Sequence, residues 1–137
     1  MKTAISALVA LHLAATIWHG EAHEALEIGL SPAQNAFVYL VILLAPIVAT
    51  GLLWTRFESA GLALLVVAMI GALVFGVYHH YVHVSPDNVA HLPAGSPEAH
   101  ARFVDSAALI ALLELATAIC AAYGLGARRG ATRAERR

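Results

Sequence analysis

The chain has 137 residues, of which 60% are hydrophobic and 12% charged, and a formal net charge of -1; soluble proteins average about 25% charged. That composition excludes an ordinary soluble enzyme, and the absence of a basic face excludes a nucleic-acid partner. Four apolar stretches, at 3–19, 33–54, 60–82 and 103–125, reach or approach the roughly 20 helical residues that cross a hydrocarbon core. They predict an all-α integral membrane four-helix bundle, a single transmembrane domain over 1–137.

The first stretch runs from Lys2 to Trp18 without a further charge. Gly20-Glu21-Ala22 resembles the small-residue exit of a signal peptide, and cleavage there would expose His23 as a new terminus. Trp18, an interfacial anchor type, favours a retained span. In a retained helix His12, Thr16, His19 and His23 follow an i, i+4, i+7, i+11 pattern. One stripe then carries polar groups from the outer edge to about 10 Å below it. A histidine as deep as His12 is costly in lipid and marks a functional position.

Ser31-Pro32-Ala33-Gln34 predicts a helix start, with Ser31 capping, Pro32 at the first helical position and Gln34 closing the capping box. From Ala36 to Leu53 the second span is apolar except for Thr50, and Pro46 predicts a kink. The link from Trp54 to Ser59 is short enough to make spans two and three antiparallel neighbours.

The third span carries no charge from Ala60 to Val77 and ends in Tyr78-His79-His80-Tyr81-Val82-His83. Continued as an α-helix, His79 and His83 leave one face at i, i+4, while His80 points about 100° away. Ser85-Pro86-Asp87-Asn88 stops the helix, and Pro93, Gly95 and Pro97 keep the long connection irregular. It brings in His91 and His100. The fourth helix places His100, Ala107 and Glu114 seven residues apart, with Ala111, Ala118 and Ala121 near the same line, so this face points into the bundle. Glu114, near mid-membrane, is a candidate partner for His12. Arg102 and Asp105, at i, i+3, have the spacing of a surface pair.

Charge and histidine are divided between the two ends. Seven of eight Lys and Arg (Lys2, Arg56, Arg128, Arg129, Arg133, Arg136, Arg137) fall at the amino end, in the second connection or in the tail 127–137. The positive-inside rule makes that side cytoplasmic, with both termini on it. Seven of eight histidines, and six of nine carboxylates, fall on the other. The expected site therefore faces the extracytoplasmic side.

Imidazole with carboxylate suits zinc, copper(II), nickel or iron(II); copper(I) prefers sulfur, and only Met1, Met69 and Cys120 offer it. The expected function is binding of a transition-metal ion by His79 and His83, completed by His19, His23 or His100, for uptake or transfer. His12, His80 and Glu114 form a secondary set that extends the polar line inward. Two alternatives use the same residues. A haem b could lie between His19 and His79 or His80, with Gly76 making room; or the chain is a non-catalytic accessory subunit whose histidines line a wet surface. No nucleophilic triad or phosphate loop points to an enzyme. The expected partners are the bilayer and either a second copy or a larger membrane complex.

Overall fold

The computed structural model describes residues 1–135, with side chains described as far as Arg128. The predicted basic tail, Arg128 apart, therefore lies outside the described side chains. Among the described residues there are helices and no strands. We label them α1 (Lys2–Ala25), α2 (Pro32–Leu53), α3 (Glu58–Val82) and α4 (Pro97–Glu135). All four are long and apolar enough to cross a membrane. They also turn large apolar side chains outward, among them Leu11, Val67, Leu112 and Ile119. A soluble monomer rarely exposes so much apolar surface.

α1 and α3 both pack on α4, and α2 packs on α3. Small residues make the closest approaches. At Gly61 an added Cβ would lie 2.7 Å from the Ala49 carbonyl oxygen, so α2 and α3 meet backbone to backbone there. Ile5, Val9, Leu53, Leu62, Leu65, Met69, Ala118 and Ala121 fill the half of the bundle nearest the amino terminus. At that end Glu58 accepts from Lys2 Nζ at 2.8 Å and from Arg128 Nη1 at 2.6 Å. The start of α1 and the described part of α4's far end therefore share one end of the bundle. Arg102 pairs with Glu21 on α1 at 3.4 Å rather than with Asp105; the longer reach ties α1 to α4.

Two helices depart from α geometry, both near the histidine end. In α2 the backbone is π-helical over Val38–Leu44. Ala45 N–H bonds Leu40 O, five residues back, just before Pro46, which has no N–H to give. The expected disturbance at Pro46 thus takes the form of a widened turn. α3 ends in a second π-helical turn, Tyr78–Val82, closed by His83 N–H on Tyr78 O at 2.7 Å. His83 itself has extended backbone.

Candidate metal centre

α1 ends on a Schellman arrangement that sets the position of His23. Glu27 takes a left-handed φ of 54°, where glycine is usual. Ile28 N–H then bonds His23 O at 2.9 Å, and Glu27 N–H bonds Glu24 O at 3.1 Å. The same turn brings the Ile28 carbonyl to His23 Nδ1 at 3.3 Å. Leu26 and Ile28 then bury themselves against Ala22, Ala99 and Phe103, which seats the turn on α4.

His19, one helical turn deeper, lies under Phe103 with ring centroids 4.7 Å apart. Its Nδ1 meets Ser106 Oγ at 2.8 Å. His80 reaches the same place from α3, its ring 4.9 Å from that of His19. The loop after α3 folds back to hold it: Val89 N–H bonds His80 O at 2.9 Å, and His80 Nδ1 lies 2.9 Å from Asp87 O. Asn88 fixes that loop by donating to His83 O at 3.1 Å. Among the described residues His19, His23 and His80 form a group whose ligand atoms all lie within 4.8 Å of one another.

The hydrogen bonds determine which nitrogen carries the proton. A carbonyl only accepts, so Nδ1 of His23, facing Ile28 O, and Nδ1 of His80, facing Asp87 O, are N–H donors. Ser106 spends its one hydroxyl proton on Arg102 O at 2.5 Å, so it accepts from His19 Nδ1. In the neutral form of each ring this leaves Nε2 as the lone-pair atom. His19 Nε2 and His23 Nε2 face each other at 3.1 Å, and Asp87 Oδ1 lies 3.2 Å from His23 Nε2. His80 Nδ1 also lies 3.2 Å from Asp87 Oδ1, but its N–H is directed at the backbone carbonyl of the same residue, so the buried Oδ1 is in contact with both rings without a well-formed hydrogen bond. Two imidazole nitrogens and a carboxylate oxygen therefore converge closely enough to share a proton or to hold a metal ion. Burial alone would push the Asp87 carboxyl up. The contact with His80 outweighs burial and holds it below the usual carboxylate value.

The other histidines are placed elsewhere. The His79 and His83 rings stay near one another, with centroids 6.0 Å apart at 90°, but on a side of α3 away from His19 and His23. His79 faces Phe75 and takes a 3.3 Å contact from Gln34 Nε2. His83 stacks on Tyr78. His100 gives Nε2–H to Pro93 O at 2.8 Å, and His91 meets Asn88 Oδ1 at 3.3 Å. The i, i+4 pair thus does not join the group that the expectation centred on it, and neither does His100. His80, expected only as a secondary residue, is the α3 member.

The deeper pair forms across α1 and α4. His12 Nε2 and Glu114 Oε1 are 3.4 Å apart, both buried, and His12 Nδ1 has no partner. Between this pair and the triad lies a cavity of about 410 Å³, lined by His19, His23, His80, Asp87 and Glu114 and by apolar side chains of all four helices.

Asp87 and Ser106 were not among the expected site residues. Asp87 carried a local signal, since Ser85-Pro86-Asp87-Asn88 follows the histidines directly. Ser106 carried none, because its role appears only when α1 meets α4. Searches of protein-family models, of curated proteins and of solved structures returned no match to this chain.

Proposed function

We propose that this is an integral membrane protein that binds one divalent transition-metal ion through Nε2 of His19, His23 and His80, with Asp87 as the neighbouring carboxylate. The observation that carries this reading is the fixed tautomer of all three rings. Every Nδ1–H is spent on an acceptor, which is how metal-binding imidazoles are oriented by the groups behind them. The sulfur-free donor set favours zinc, copper(II), nickel or iron(II). The positive-inside rule supports an extracytoplasmic site, because the triad lies at the end of the bundle opposite Lys2 and Arg128.

A bis-histidine haem fits less well. It needs two imidazoles flanking a plate, whereas His19 touches both His23 and His80 edge-on at centroid distances below 5 Å. Transport through one copy also fits less well. Beyond His12 and Glu114 the core is filled by Ile5, Val9, Leu62, Leu65 and Met69, and among the described residues no buried charged group lies between that pair and Glu58 at the other end.

Elemental analysis of the purified protein, with chelator competition, tests the reading. The wild type is expected to retain metal, His23→Ala with His80→Ala to lose it, and His79→Ala with His83→Ala to keep it. Loss in the last variant alone would contradict the assignment.

A further inference from the structure

The cavity beside the triad has a blind floor and an open flank. Its floor is Glu114, backed by His12 and sealed below by the packed core. Its flank follows from how α1 and α2 are arranged. α1 packs on the Ala45–Leu53 half of α2 and makes little contact with the π-helical half. The residues on either side of that gap line the cavity and remain exposed: Ile17, at 65%, and Gly20 on α1, and Tyr39, at 63%, on α2. Ile17 and Tyr39 lie about two turns inside the ends of their helices and Gly20 lies beside the exposed Glu21, so the gap opens where headgroups meet acyl chains. The π-helical turn of α2 forms the far lip, as such turns often do at functional sites.

Building on the metal reading above, we propose that the protein is a hydrolase for membrane-borne fatty-acyl esters, which enter sideways between α1 and α2. The acyl chain occupies the apolar cavity and the ester carbonyl lies against the metal. Three protein ligands leave a coordination position open for water, as in catalytic zinc sites, where structural sites take four. Asp87 Oδ1, buried 3.2 Å from nitrogens of His23 and His80 and without a well-formed hydrogen bond, is placed to serve as base. Water gives one proton to Asp87, and its oxygen bonds to the carbonyl carbon. The ester C–O bond then breaks, and the departing alkoxide takes the proton from Asp87. The products are a fatty acid and an alcohol, with no change of oxidation state. A volume of about 410 Å³ falls within the roughly 300–1,000 Å³ of small-molecule sites.

The test uses zinc-loaded, full-length protein in detergent, with zinc content measured on the same sample, and nitrophenyl palmitate and nitrophenyl acetate as probes. Palmitate turnover is expected to exceed that of the chelated protein by about tenfold or more. Gly20→Phe places a ring at the gap from a position where the Cβ itself meets nothing within 4 Å. It should keep its zinc and lower the palmitate-to-acetate ratio by about tenfold. Protein that holds zinc but hydrolyses neither ester overturns this proposal alone, as does a Gly20→Phe ratio equal to that of the wild type. Protein that takes up no zinc overturns the metal reading and this proposal with it.

Discussion

Replacing Ser106 with Ala removes one hydroxyl from a fully buried position and tests whether tautomer control makes the site. The hydroxyl accepts from His19 Nδ1 at 2.8 Å and donates to Arg102 O. Arg102 O stays in the ladder of α4, so the loss falls on His19. A buried N–H left without an acceptor costs about 1–3 kcal/mol. The ring can escape that cost by moving its proton to Nε2, which places an N–H where the metal needs a lone pair. Either way the metal-bound form loses about 1–3 kcal/mol, equivalent to roughly 5- to 150-fold in affinity. Measured losses for residues behind metal ligands are about 10–100-fold, within the same range. Chelator competition on the purified protein reads this directly. Thr117→Ala is the control, because Thr117 is equally buried on α4 and donates to Leu113 O at 2.6 Å but touches no histidine. Ser106→Ala binding within about threefold of the wild type, or Thr117→Ala weakening it equally, would refute the reasoning.

Other positions give independent checks. Gly61→Ala places a Cβ 2.7 Å from Ala49 O and 3.0 Å from Leu52 Cβ, and should cost about 1–3 kcal/mol of unfolding free energy in detergent. Gly51→Ala meets nothing within 4 Å and should be neutral or stabilising by up to about 1 kcal/mol. Glu114→Ala leaves His12 without its one partner and should destabilise by about 1–3 kcal/mol, whereas Glu114→Gln keeps a hydrogen-bonding group there and should lose less; equal losses would show that the pair contributes nothing specific. In metal-free protein the depressed folded pKa of Asp87 predicts a contribution to stability that is whole above the ordinary value of 3.8 and is lost as pH falls through the lower folded value. Asp87→Asn should flatten that acid dependence in denaturation measured across pH.

The spans were legible because length and apolar content alone determine what can cross a hydrocarbon core. The capping box at Ser31 and Gln34 forms as its spacing implied, with Ser31 N–H on Gln34 Oε1 at 2.8 Å. The His19–His23 stripe was legible too, since α1 is regular through both residues. The α3 contribution was not. Reading His79 with His83 as the centre took their shared face for the inward one, whereas in the π-helical turn over Tyr78–Val82 those rings face Phe75 and Tyr78 and it is His80 that meets α1. Nothing in local sequence marks the extra residue in that turn, because what holds it is the long loop bringing Asp87 and Val89 back onto His80. Ser106 was hidden for a related reason: a serine in an apolar helix has meaning only once its neighbour across the bundle is known. The deep pair was foreseeable as a possibility from depth alone, and contact between α1 and α4 supplies what the spacing could not.

X-ray absorption at the metal edge of zinc-loaded protein tests the central claim most directly. The account predicts a nitrogen- and oxygen-only shell at about 2.0–2.1 Å, with outer-shell scattering from three imidazoles that falls to two in His80→Ala. A shell containing sulfur, or imidazole scattering unchanged by His80→Ala and reduced by His79→Ala, would contradict it.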